Sequence, residues 1–394
     1  EPPAAVAGAV RRAPVRPAPN LLVAGVAGLA LLSACSDSAA GPPAGAAVTE
    51  ASTGRLEAVV DAPVPLDVHV HLIGPQLLAD WKSLGVPFSK PDVVYLSAAS
   101  WLGPAEPGFA GQPPAARRAI LVPMAHLYGR SEFREAVDLT LEEERARVAT
   151  ENDHVAAEAA RFPGRAVALC SVAALRPFAE AEIERCRREL GTAGLKLHLA
   201  ASEVDLADAG QLAAIERIVA GVAGRGELLL LHLDPQRRGL ETADVERFLR
   251  QVLGPHPDLT VIVAHLGGSG GYGAWTRGVF RTVLDWLAER RAAGEARPGV
   301  RFDVSAVVLE RESEGVPATT AEEAAQLAAD LRRAGFERLL LGSDAPVFDP
   351  RRTVELLRDR VGLTQEEIDR LLANEVPGLF DDGVERLAAD QGGD

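Results

Sequence analysis

The run Asp67-Val68-His69-Val70-His71 sets two imidazoles two residues apart in a stretch that reads as a β-strand. Side chains alternate along a strand, so both rings project from one face. Two nitrogens from one rigid strand are half of a divalent-metal site. Three more of the eight histidines, His198, His232 and His265, stand at or near the ends of other apolar runs, and Asp344 ends a further one. A lone histidine at a strand end is ordinarily a hydrogen-bonded core residue. Each buried imidazole needs a polar partner, however, so five arriving together argue for convergence on one place. His69, His71 and His232 make the three-histidine set that zinc accepts while keeping one position open. Asp344 can give the ion a carboxylate oxygen or take a proton from a water the ion has acidified. His265 is then placed to stabilise charge on a substrate or to move a proton. Asp67 is expected as a strand-start hydrogen-bonding residue, and His154 and His256 have no site role.

These residues need a scaffold that brings distant strand ends together. Eight short apolar runs, at 65–71, 119–124, 166–172, 194–199, 227–233, 259–265, 300–305 and 338–344, alternate with helical patterns at 140–161, 179–190, 206–221, 242–253, 274–291 and 320–334. Near-continuous apolar strands have both faces covered, as in a parallel sheet flanked by helices. Eight such units in about 290 residues predict an α/β fold of the (β/α)8 TIM-barrel type, whose chemistry sits at the C-terminal ends of the strands. A doubly wound open sheet is the alternative with the same alternation, but no glycine fingerprint follows the first run. The stretch 77–118 is long for a βα connection and reads as an insertion beside the mouth.

Asp-Val-His-Val-His, Gly194-Leu-Lys-Leu-His198, Leu-Leu-His232, Val-Ala-His265-Leu-Gly-Gly and Leu-Gly-Ser-Asp344-Ala-Pro, in that order, resemble the amidohydrolase superfamily. They are most similar to its amidohydrolase-related branch, which includes the aminocarboxymuconate semialdehyde decarboxylase group, and the resemblance runs from about 65 to 380. It implies a distorted TIM barrel holding a divalent ion, usually zinc, among His69, His71, His232 and Asp344, with His265 catalytic. In binuclear relatives a lysine ending strand four is carboxylated and bridges two metals. Lys196 lies on that strand, in a chain with only three lysines. One ion is favoured, and a second held by Lys196 and His198 stays open. The expected activity is metal-dependent hydrolysis of an amide, lactone or ester of a small molecule. A non-hydrolytic decarboxylase using the same metal is the alternative. A barrel that only binds is disfavoured by the intact His265 and Asp344.

Substrate contacts are expected from His126, Tyr128 and Arg130 after the second run and from Arg237 and Arg238 after the fifth, since arginine binds carboxylate or phosphate bidentately. Solvated loop charge is an equal reading of these arginines. The glycines at 267, 268, 270 and 271 leave room for substrate beside His265.

The balance of the 394 residues, 47% hydrophobic with a net charge of −15, is globular and argues against nucleic acid as a partner. Arg11, Arg12 and Arg16 precede an apolar run at 21–32 that ends in Leu32-Ser33-Ala34-Cys35. This is a secretory pattern, and its ending resembles the lipobox of bacterial lipoproteins. The reading that follows is a signal peptide over 1–34, a lipid-bearing Cys35, a flexible Ala/Gly/Pro/Ser tether over 35–60 and the barrel domain over 61–394. The protein would then be exported and would touch a bacterial membrane through its lipid anchor only. Cys170 and Cys186 are expected to be structural, since free buried cysteine behaves as a small hydrophobe; a bridge between them is possible but has no support in the sequence.

Overall fold

The computed structural model describes residues 62–103, 114–233, 241–313 and 316–380. The expected signal peptide, Cys35 and the tether, together with Arg237 and Arg238, lie outside the described residues. Among the described residues nine strands run in chain order: β1 (Val64–Leu72), β2 (Ala116–Pro123), β3 (Ala166–Ala168), β4 (Cys170–Ser171), β5 (Gly194–His198), β6 (Leu228–His232), β7 (Thr260–Val263), β8 (Val300–Asp303) and β9 (Leu339–Leu340). All named pairings are parallel and join sequence neighbours, β1-β2-β3 in one sheet and β4 through β9 in another. β3 and β4 are halves of one barrel position, interrupted at Leu169. Its N–H bonds back to the Leu121 carbonyl at 3.0 Å, and the Ala193 N–H bonds to the Ala168 carbonyl at 2.8 Å.

The eight positions close into a barrel through β1 and the segment after β9. The Val68 N–H donates to the Leu341 carbonyl (3.0 Å), the Asp344 N–H to the His69 carbonyl (2.9 Å) and the His71 N–H to the Ala345 carbonyl (2.8 Å). Asp67 fastens the same seam. Its carboxyl accepts from the Ser343 hydroxyl at 2.6 Å, the Ser343 N–H at 2.9 Å and the His69 N–H at 3.1 Å. Burial nonetheless pushes the Asp67 carboxyl up to about 7.

Two apolar layers follow from strand alternation. Leu66, Val68, Ile120, Val122, Leu228, Leu230 and Ile262 pack in one cluster inside the barrel. Leu121, Leu195, Leu197, Leu229, Leu231, Val261 and Val263 face the helices. The register of β1 against β2 shifts between Asp67 and Val70. This extra residue exchanges the two faces of the strand, so Val70 joins the outer layer while His69 and His71 turn to the mouth.

The helices are α1 (Pro75–Ser83), α2 (Asp92–Leu96), α3 (Ala99–Leu102), α4 (Ser131–Val137), α5 (Leu141–Ala160), α6 (Ala179–Arg185), α7 (Ala209–Gly224), α8 (Thr242–Phe248), α9 (Ala274–Ala292), α10 (Ala321–Ala334), α11 (Pro350–Asp359) and α12 (Gln365–Ala373). Reciprocal Thr–Glu capping boxes start α5, α10 and α12. None of the helices among the described residues is long and apolar enough to cross a membrane.

The stretch 77–118, read as an insertion, holds most of α1 together with α2 and α3, and its last residues already belong to β2. Cys170 and Cys186, for which a bridge was possible without sequence support, form a disulfide, with their Cα atoms 5.8 Å apart. α6 continues into a π-helical turn at Cys186–Leu190, a local winding that residue periodicity does not reveal.

Glu151 on α5 is buried and holds the loop after β1, accepting from the Gly74 N–H at 2.8 Å. Burial outweighs this bonding and pushes its carboxyl up to about 8. The folded state therefore holds a proton that the unfolded chain releases near pH 4.5, and stability falls as pH rises between those values. Glu151→Gln keeps an acceptor and removes the titration. Its stability relative to the parent should climb with pH by up to about 1.4 kcal/mol per unit over that window, read by urea unfolding at pH 5, 6.5 and 8. A constant difference would mean that Glu151 titrates normally.

Candidate metal centre

The centre is built on the end of β1. His69 is fully buried and its Nδ1–H donates to Asp303 Oδ2 at 2.9 Å. The Nδ1–H of His71 donates to the Val122 carbonyl at 3.2 Å. A carbonyl can only accept, and so can an ionised carboxylate. Each neutral ring is thereby left with a lone pair on Nε2, and those two nitrogens face each other at 3.1 Å. Both rings are neutral: burial first, then Lys196, brings His69 down to about 3 against the pull of Asp303, and burial lowers His71 as well. Asp344 Oδ1 completes a triangle, 3.3 Å from His71 Nε2 and 3.6 Å from His69 Nε2. Burial opposes ionisation of Asp344, but His265 holds it well below the usual carboxylate range.

Three acceptors aimed at one another repel unless something positive lies among them. The nearest donor is Lys196, a fully buried ammonium whose Nζ is 3.2 Å from His69 Nε2 and whose pKa burial has brought down to about 8. The ligand atoms of His69, His71 and Asp344 all lie within 4.8 Å of one another, and so do those of His69, His265 and Asp303. Nitrogen, nitrogen and carboxylate oxygen, already desolvated and oriented, fit one divalent cation.

Asp303, at the end of β8, was not among the residues singled out from the sequence, yet four groups depend on it. It accepts from His69, from the His265 N–H at 2.9 Å, from the Ser305 N–H at 3.1 Å and from the Ser305 hydroxyl. Burial alone would raise its pKa, but His69 and these hydrogen bonds hold it well below the usual range. The signal was present: an aspartate stands two residues before the end of the run at 300–305, and Asp344 ends its own.

His265 and Asp344 are not strand residues. β7 stops at Val263, and His265 sits in the 3-10 turn Ala264–Gly267 with φ +51°, followed by Leu266 at φ +54°. Asp344 lies four residues beyond β9 with φ +62°. Left-handed non-glycine residues are held only where their surroundings impose it. Here the imposing bonds are those of the His265 N–H to Asp303 and of the Asp344 N–H to His69. The Nδ1–H of His265 donates to the Ser305 carbonyl at 3.1 Å, which leaves Nε2 for chemistry.

His232 departs from the expected ligand set. Its Nε2 pairs with the Ser269 hydroxyl at 3.1 Å, and its ring stacks on His198, with centroids 3.8 Å apart at 13°. The rings of His71, His69, His265, His232, His198 and His126 follow one another in a continuous row, with centroid separations of 4.8, 4.9, 4.7, 3.8 and 5.1 Å. His198 accepts from the Ala201 N–H at 3.3 Å. Burial first, then Lys196, His71 and Arg130, keep His126 well below the usual histidine range and therefore neutral. Tyr128 leaves the substrate set: it is fully buried and its hydroxyl donates to Asp80 at 3.0 Å. The Arg130 guanidinium meets Glu132 at 2.7 Å. Arg237 lies outside the described residues.

Removing the Asp303 carboxylate should loosen His69, His265 and Ser305 together. For Asp303→Asn we expect metal affinity to drop about 10- to 100-fold, measured by competition with a chromogenic chelator; affinity equal to the parent would show that Asp303 does not orient the ligands.

Residues 66–374 match the model of a protein family described as amidohydrolase. No curated protein matches the chain. Among solved structures, manganese-bound 5-carboxyvanillate decarboxylase from Novosphingobium aromaticivorans is 15% identical, covers 81% of this chain and 96% of its own, and has a TM-score of 0.50. A protein from Pseudomonas putida assigned as a 2-pyrone-4,6-dicarboxylic acid hydrolase is 19% identical, with coverage of 82% and 100% and a TM-score of 0.48. The 2,6-dihydroxybenzoate decarboxylase from Rhizobium is 15% identical, with coverage of 79% and 96% and a TM-score of 0.47. At such identities the likeness is one of fold. The matched segment begins in β1 and ends just after α12, taking in the whole barrel and every residue of the centre; the chain belongs to the amidohydrolase family.

Proposed function

We propose that the chain is a metal-dependent hydrolase that cleaves an amide, lactone or ester of a small molecule at His69, His71 and Asp344. The observation that carries this reading is the pair of imidazole lone pairs facing each other at 3.1 Å beside an ionised carboxylate, an arrangement that a cation stabilises. A divalent ion held there supplies Lewis acidity, acidifying water and polarising a carbonyl. The chain's own residues do the rest. Asp344, ionised at neutral pH, accepts a proton from water. His265, fixed through Nδ1, presents Nε2 to charge developing on the substrate or to the leaving group. Asp303 and Ser305 hold both rings in the tautomers this requires.

Hydrolysis takes a proton from water, whereas loss of CO2 needs one delivered to carbon. Asp344, a carboxylate with Oδ1 3.3 Å from His71 Nε2, is an acceptor placed for the first. We read the ion as a single zinc. Support for one ion comes from His69, His71 and Asp344, whose ligand atoms lie within 4.8 Å of one another. We also read the protein as exported and anchored through a lipid on Cys35. The Cys170–Cys186 disulfide supports this, since such bonds persist in oxidising compartments.

Full-length protein loaded with zinc should carry one ion per chain by mass spectrometry and should hydrolyse members of a panel of amides, lactones and esters. Chelation should abolish turnover, and zinc should restore it. CO2 release from carboxylate substrates without a hydrolysed product would overturn the hydrolase reading, and two ions per chain would assign Lys196 to a second metal. Asp344→Asn should lower kcat by about 10²- to 10⁴-fold with the far-ultraviolet circular dichroism unchanged; undiminished kcat would remove Asp344 as the proton acceptor.

A further inference from the structure

Asp344 stands outside any strand, so the run 343–347 that carries it needs other anchors. Most of its backbone groups find them near at hand. The Asp344 N–H donates to the His69 carbonyl at 2.9 Å, and the Ala345 carbonyl accepts from the His71 N–H at 2.8 Å. The Ala345 N–H donates to Ser343 Oγ at 3.0 Å, and the Val347 N–H closes a turn on the Asp344 carbonyl at 3.2 Å. Pro346 is different: it is buried and lacks an N–H, so it cannot join the seam as a donor, and its carbonyl needs a partner. That partner is the Lys90 ammonium, whose Nζ donates to the Pro346 carbonyl at 2.5 Å.

Lys90 belongs to the segment between α1 and α2, within the stretch 77–118, and the chemistry above does not use it. Its own position is fixed from two sides. The Lys90 N–H donates to the Tyr95 hydroxyl at 3.1 Å, and the Tyr95 carbonyl accepts from the Ile73 N–H, directly after β1, at 2.9 Å. The ammonium also lies over the buried Trp101 ring, 5.9 Å from its centre and within cation–π reach. The brace thus starts beside the strand that carries His69 and His71 and ends two residues beyond Asp344. We propose that Lys90 is a positioning residue for the centre: by gripping Pro346 it sets the Asp344 carboxylate against the two imidazole nitrogens, so that the three ligands are aligned before an ion arrives. Groups that orient ligands in this way contribute to metal affinity without touching the metal. The proposal rests on the reading of His69, His71 and Asp344 as a metal centre, and it gives the 77–118 stretch a part in that centre.

The test uses the full-length protein with zinc as the probe. Lys90→Met keeps the stem against Trp101 and removes the donor. It should bind zinc about tenfold more weakly than the parent, by competition with a chromogenic chelator. Lys90→Arg, which restores a cationic donor, should return to within about threefold of the parent. Hydrogen exchange in the zinc-free protein reads the brace without the ion. In Lys90→Met the segment 343–349 should exchange roughly tenfold faster, while the Val68 N–H, on the same seam, keeps the parent rate. Tyr95→Phe removes the acceptor of the Lys90 N–H and leaves the ammonium in place. It should move both readouts in the same direction by about threefold, and it keeps the test open if the Met variant misfolds. The proposal is overturned by equal zinc affinity in parent and Lys90→Met, by parental exchange over 343–349, or by exchange that rises equally at Val68, which would make Lys90 a general support of the fold. A parent that binds no zinc, with 343–349 still loosened by Lys90→Met, would sink the metal centre and leave the brace on Asp344 standing. Zinc binding that Lys90→Met leaves intact would do the reverse.

Discussion

Two imidazole lone pairs and a carboxylate oxygen held within a few ångströms of one another inside a closed barrel are the constraint on which the rest of this molecule turns. Such a group is unfavourable unless a positive charge sits in its midst, because each member is an acceptor and burial has removed the water that could donate to it. The protein nevertheless arranges that outcome on both sides. Asp303 and the Val122 carbonyl take up the Nδ1 protons, so that neither ring can relieve the contact by turning its N–H toward the other. Lys196 gives a partial answer with its ammonium, at the expense of burying a charge. A divalent ion gives the complete one.

The barrel's closure is what makes the arrangement hold. Asp67 and Ser343 lock β1 to the segment that follows β9, and the same backbone seam carries the His69 carbonyl that fixes Asp344. A single inserted residue in β1 lets one strand contribute apolar side chains to the barrel's interior and then imidazoles to its mouth. Left-handed backbone at His265, Leu266 and Asp344 is the strain that this precision entails. Behind the rings, the chain from Arg185 through Glu182, Asn152 and Ser171 to His126 sits on the face stapled by the Cys170–Cys186 disulfide. The wall of the site is thus rigid well away from the metal ligands.

Much of this was written in the residue pattern. Alternation of apolar runs and helical periods is a local property, so the eight barrel positions and the six major helices could be read directly, to within a few residues. The strand-end rule likewise gathered His69, His71, His198, His232, His265 and Asp344 into one mouth, because a barrel brings all its strand ends to one rim whatever their separation in sequence. The family resemblance rested on those residues in order, and the match over 66–374 covers them.

Pairwise geometry was not legible. Which nitrogen of a ring carries its proton, that His232 turns to Ser269 and stacks on His198, that Asp303 anchors four groups and that Tyr128 spends its hydroxyl on Asp80 all depend on side chains from strands and helices far apart in the chain. The disulfide depended on how the end of α6 packs on β4, and His265 and Asp344 on backbone angles that no periodicity encodes. The sequence by itself determined which chemical groups would meet and at which end of the barrel, because hydrophobic periodicity sets the fold and the fold sets the rim. Only the tertiary structure decided how those groups face one another, because hydrogen-bond direction and ring orientation are settled by the packing of neighbours that have no local signature.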